Sequence, residues 1–83
     1  MKTIVRKDNQ ASIYCFADDV TVQINTDSVV VGDPTLFIIA DCNTFNVELY
    51  TNVSVPDDWQ GWKYQFDGAD WTLNPGWQDP ALS

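Results

Sequence analysis

Carboxylates are the residues best placed to do chemistry in this chain, as Asp18-Asp19, Asp57-Asp58 and the closely spaced Asp67 and Asp70. Two carboxylates held together could share a proton for acid–base work or bind a divalent cation loosely. Adjacent residues on a strand point to opposite faces, however. Each of these groups also falls at a turn signal, where aspartate is favoured because it hydrogen-bonds its own backbone. Histidine is absent, which removes the commonest general base and the usual partner of a Ser or Cys nucleophile. A twelve-residue calcium loop needs a closing glutamate, and the only glutamate is Glu48, inside an alternating apolar run. Cys15 and Cys42 have no second cysteine pair to complete a zinc site, and each belongs to an apolar run, where a reduced thiol acts as a small hydrophobe. There is no phosphate-binding Gly-rich loop. The expectation is a protein that is not an enzyme, with no catalytic residues, no cofactor and no metal site.

The four tryptophans carry more information. Trp59, Trp62, Trp71 and Trp77 all lie in the last 25 residues. Indoles bury a large area with few rotatable bonds, so they serve as core, as subunit anchors or as platforms for sugar stacking. Trp62 and Trp71 read as core of a hairpin. Trp59, Trp62 and Trp77 are nevertheless the candidate interface residues, because they begin or flank that hairpin beside Pro- and Gly-containing loops.

The hairpin runs from Trp62 to Leu73. Trp62, Tyr64 and Phe66 alternate with Lys63 and Gln65, Asp67 and Gly68 supply the turn, and Trp71 and Leu73 return to the apolar face. The rest of the chain is a series of short alternating or β-branched runs: 2–6, 13–16, 20–24, 29–31 stopping at Gly32, 36–40, and 47–50 with its strand ending near Asn52. They are separated by Asp, Asn, Gly and Pro, and no segment sustains a helical period. Leu36-Phe37-Ile38-Ile39-Ala40 is the most apolar run, which predicts a strand covered on both faces at the centre of the core. Residues 54–59 fit one turn of helix with Pro56 at its first position. The fold class is therefore all-β: a single small antiparallel β-sandwich or barrel of six to eight short strands over 1–83, with residues 77–83 as an extended tail. The expected core is Ile13, Val22, Ile24, Phe37, Ile39, Leu49, Tyr64, Phe66 and Trp71.

Size and charge narrow the function. A chain of 83 residues buries roughly 60 to 65% of its unfolded surface, enough for one small core but not for a large enclosed active site. Acids outnumber bases 12 to 4, and beyond residue 7 the only cation is Lys63. That balance argues against binding nucleic acid through its phosphates, which needs clustered Lys and Arg. No run approaches the ~20 apolar residues of a membrane span. The opening Met1-Lys2-Thr3-Ile4-Val5-Arg6 lacks the apolar core of a secretion signal, so a reducing cytosol is the expected compartment. A small chain so rich in aromatic and β-branched residues gains stability by associating with copies of itself, and a homo-oligomer is expected.

The run from Gly61 to Trp77, with Ala17-Asp18-Asp19 and Val31-Gly32-Asp33-Pro34 upstream, resembles small uncharacterised proteins of marine tailed phages, particularly those of cyanobacteria. Its most specific part is Lys63-Tyr64-x-Phe66-Asp67-Gly68-x-x-Trp71-Thr72-Leu73-Asn74-Pro75. The resemblance implies a phage origin, the cytoplasm of an infected host cell, and a role in or on the virion beside other virion proteins. It brings no catalytic residue or cofactor. The leading expectation is a noncatalytic virion accessory subunit of the head, neck or tail that self-assembles. The alternatives are an acidic intracellular inhibitor that imitates DNA and a small carbohydrate-binding module.

Overall fold

The computed structural model describes residues 1–77; the expected extension of the tail beyond Trp77 lies outside them. Eight short strands form three small antiparallel sheets. They are β1 (Lys2–Arg6), β2 (Ser12–Phe16), β3 (Val22–Ile24), β4 (Val29–Val31), β5 (Phe37–Ile39), β6 (Val47–Tyr50), β7 (Tyr64–Phe66) and β8 (Trp71–Leu73). The first sheet has the order β2-β1-β6, the second β3-β4-β5, and β7-β8 is the C-terminal hairpin. The class and strand count are those the alternating runs predict. Among the described residues no helix is long and apolar enough to cross a membrane.

The two three-stranded sheets share one core. Ile4 and Val47 from the first meet Val29, Val31 and Ile39 from the second, with Cys42 between them and Ile13, Phe16, Val22, Ile24 and Leu49 packed around the margin. In β3 the alternation holds, with Val22 and Ile24 partly buried and Gln23 exposed.

The other face of the first sheet is covered too. Pairing places Thr3 opposite Tyr50 and Val5 opposite Glu48, on the side away from Ile4. There the Trp59 indole donates to Ser12 Oγ at 3.0 Å, Ser12 Oγ lies 2.6 Å from Thr3 Oγ1, and Thr3 donates to the Tyr14 carbonyl at 2.9 Å. Phe66 stands edge-on to Tyr50, with ring centroids 5.1 Å apart. The hairpin is tied down by backbone as well: Phe66 N donates to Gln10 O, and Ala11 bridges to Gln65. Thus β1, with Thr3, Ile4 and Val5 all buried, is the strand covered on both sides.

Three expectations are corrected. First, β5 is an edge strand rather than the centre of the core, since β4 lies between it and β3. Only Ile39 is buried, while Leu36, Phe37 and Ile38 are exposed. A continuous apolar run reads the same whether its outer face is covered or bare, because coverage depends on where the strand falls in the sheet. Second, residues 54–59 make a turn and not a turn of helix: Trp59 N bonds Pro56 O, and Ser54 and Val55 belong to no regular element. Third, the hairpin strand begins at Tyr64, so Trp62 is not on its apolar face. Trp62 has φ +73 and donates its N–H to Ser12 O. A bulky residue in the left-handed region persists only where surrounding contacts over-determine it.

Candidate functional site

One acid of each pair is bound into local structure through its carboxylate. Asp18 receives the N-terminal ammonium at 2.8 Å. Asp58 accepts from Lys63 Nζ through Oδ2 and from the Tyr64 hydroxyl through Oδ1, both at 2.9 Å. Asp67 closes the hairpin turn, its Oδ1 accepting the N–H groups of Ala69 at 2.9 Å and Asp70 at 2.7 Å. Gly68 follows with φ +100, which a side chain would strain. Among the described residues no three His, Cys, Asp or Glu side chains gather where they could hold a metal ion. Cys42 is buried and Cys15 partly so, both free, and burial pushes both thiols up, away from the reactive thiolate.

These contacts have a pH signature. The backbone N–H groups of Asp70 and Ala69 hold the Asp67 carboxyl below its ordinary value, and the hydrogen bonds from Lys63 and then Tyr64 do the same for Asp58. A carboxyl depressed in the folded state stabilises it above the unfolded value near 4, and that contribution is lost as pH falls through the folded value. The Asp58 bond raises Tyr64 in turn, so its contribution is present below about pH 10 and fades as pH rises through the elevated value. The hairpin is therefore expected to hold constant stability between those limits and to weaken beyond both. Carbon-detected titration of the carboxyls checks this: an Asp67 midpoint at or above the ordinary aspartate value would count against the turn geometry.

The tryptophans divide. Trp59 is half-buried with its indole N–H committed to Ser12. Trp77 is partly buried, with Lys63 Nζ 5.0 Å from its ring. Trp62 is 45% exposed and carries the Arg6 guanidinium 5.3 Å from its ring centroid. It lines a cleft with Tyr14 and Ile39. From there an aromatic band continues across the molecule: Tyr14 lies 6.1 Å from Phe16, nearly parallel to it, and Phe16 lies 6.1 Å from Phe37 on β5. Beyond Phe37 the edge of the second sheet presents Leu36 at 73% exposure and Ile38 at 59%.

The structure thus joins one of the three candidate interface residues, Trp62, to an apolar surface that sequence reasoning did not assemble. Tyr14 and Phe16 carried a readable signal, two aromatics at alternate positions of one strand. Nothing local connects them to Phe37, 21 residues further along. No protein-family model, curated protein or solved structure was found to match this chain.

Proposed function

We propose that this chain is a noncatalytic assembly protein of a tailed-phage particle that associates with copies of itself through the β5 edge and the adjoining aromatic band. The observation that carries this reading is the exposure of Phe37 and Ile38 on an edge strand, and of Leu36 just before it, where the outer side of β5 pairs with no other strand among the described residues. Native proteins ordinarily blunt such an edge with charge, proline or a covering segment. Here residues 35–40 carry no charge at all. For a chain of net charge -8, contact between copies is repulsive wherever acids meet, so an uncharged strand is where two copies approach at least cost. Antiparallel pairing of β5 with β5 about a two-fold axis extends the sheet and repeats the same contacts on both sides. Trp62, Tyr14 and Phe37 then enlarge the buried apolar area.

Light scattering over micromolar concentrations, at moderate salt to screen acidic repulsion, tests this. A concentration-dependent dimer is expected. Ile38→Glu, which sets like charges against each other across the pairing, is expected to weaken it by about tenfold or more while leaving the melting temperature near that of the parent. A monomeric mass at every concentration, or a dimer indifferent to Ile38→Glu, would sink the proposal.

A further inference from the structure

A second cleft lies on the opposite side of the first sheet. Its position follows from register, since Tyr50 pairs with Thr3 while Tyr14 of the aromatic band pairs with Ile4, and neighbouring residues on β1 face opposite ways. The cleft opens between the end of β6, with residues 51–54 beyond it, and the hairpin turn. Its volume is about 320 Å³, at the lower end of the range for small-molecule sites.

Its walls are of two kinds. Phe66, buried, forms the base, with Tyr50 edge-on to it at 5.1 Å and Trp71 tilted over it at 4.5 Å. Tyr50 and Trp71 are both only partly buried, which leaves part of each open to a ligand. Facing them are Thr51, Asn52 and Ser54, whose side chains make no hydrogen bond among the described residues. The segment carrying them is fixed nonetheless: Val53 N bonds Met1 O, and Asn52 has φ +56. Gly68 completes the rim, where a Cβ would stand 3.3 Å from the Tyr50 ring and narrow the opening.

The charge pattern restricts the ligand. Among the described residues none that lines it is charged, although 16 of the 83 residues of the chain are. Acids adjoin the lining at Asp67 and Asp70 on the turn and at Glu48, which accepts from the Tyr50 hydroxyl, while the N-terminal ammonium of Met1, whose carbonyl accepts from Val53 N, is paired with Asp18. A phosphate or uronate would meet an unfavourable potential there. A ligand with an apolar face for the aromatics and several hydroxyls for uncommitted amide and hydroxyl groups satisfies both walls. We propose that this cleft binds one unit of a neutral saccharide, stacked between Tyr50 and Trp71 and hydrogen-bonded by Asn52, Thr51 and Ser54. The site goes beyond self-association and lies on the other face of the sheet from it.

The test uses isotope-labelled full-length chain, with the Trp71 indole N–H and Asn52 amide signals followed by NMR. The probes are glucose, galactose, xylose and N-acetylglucosamine, then neutral oligosaccharides of each, and an oligogalacturonate as the charged control. Saturable shifts of both signals with at least one neutral sugar, and none with the oligogalacturonate, are expected. Response to monosaccharides would identify a free sugar as sufficient, and response to oligomers alone a chain segment. Asn52→Gly, which suits the backbone angle there, combined with Ser54→Ala is expected to weaken binding at least about tenfold, as loss of two hydrogen bonds implies, without lowering the melting temperature. Ile38→Glu, on the other face, is expected to leave binding unchanged, which separates this outcome from that of the assembly test. No shift with any neutral sugar, equal shifts with the oligogalacturonate, or binding that survives Asn52→Gly with Ser54→Ala would overturn the assignment.

Discussion

Replacing Phe66 with alanine is expected to destabilise the fold by about 3 to 5 kcal/mol, the usual cost of deleting a buried aromatic ring. Total stability for a chain of this length is about 4 to 12 kcal/mol, so the variant sits near the limit of folding. The position explains the size of the effect. Phe66 is 3% exposed and lies between Tyr50 and Trp71, so its ring joins the hairpin to the first sheet. Its own strand is anchored by the bond from Phe66 N to Gln10 O, so the backbone is held and the cavity cannot readily collapse. Tryptophan size alone would make Trp71→Ala the worse change. Trp71 is only half-buried, however, and part of its surface already faces water, so Trp71→Ala is expected to cost less than Phe66→Ala. Denaturant midpoints of both variants decide the order, read with unchanged slope to ensure that the same transition is compared. A Phe66→Ala protein as stable as the parent, or more stable than Trp71→Ala, would mean that the hairpin is not docked as described.

The second large effect is expected at Gly32. With φ +96, this residue turns the chain between β4 and the segment leading to β5, its N–H bonding Thr21 O at 2.7 Å. A Cβ there would stand 2.7 Å from Leu36 Cγ, 2.8 Å from Leu36 N and 2.9 Å from Pro34 O. The exposed Leu36 side chain can swing aside, but the two backbone atoms cannot, and Leu36 N is itself engaged with Val31 O at 2.7 Å. Gly32→Ala therefore adds a displaced turn to the strain of a left-handed backbone, for about 2 to 4 kcal/mol in all. Gly68→Ala makes the informative comparison. Its backbone angle is similar, but the new Cβ meets only the Tyr50 ring at 3.3 Å, so a smaller loss of about 1 kcal/mol is expected. Thermal melts showing the two substitutions to be equal, or Gly68→Ala to be the worse, would contradict the steric account of Gly32. Because β5 follows directly, Gly32→Ala is also expected to weaken self-association.

Much of this architecture was written locally. Val22-Gln23-Ile24 alternates because one face of β3 is wet and the other is not. Asp67 and Gly68 could be assigned to the hairpin turn because their chemistry acts within a few residues: one carboxylate accepts two neighbouring N–H groups, and one glycine adopts positive φ. Pro34 and Gly32 ended β4 where expected, and the eight strands lie within or close to the predicted runs.

What lay beyond local reading depends on neighbours distant in the chain. Lys2-Thr3-Ile4-Val5-Arg6 looks like an edge or half-wet strand, with two cations and a hydroxyl. It became the most enclosed strand because β2 and β6 pair on either side of it, because sheets cover both its faces, and because Ser12 and the Tyr14 carbonyl satisfy Thr3. The more apolar Leu36-Phe37-Ile38-Ile39 was left at an edge by sheet order alone. Trp62 followed the alternation of Tyr64 and Phe66 in sequence, yet a bond to Ser12 O set its backbone in the left-handed region and placed its ring beside Arg6. By itself the sequence determined where the chain extends and where it turns, since propensity and turn chemistry act over a few residues. Which apolar surface is buried, and which remains open beside β5 and beneath the hairpin turn, was decided only by tertiary structure, because coverage of a strand is a property of the elements packed against it.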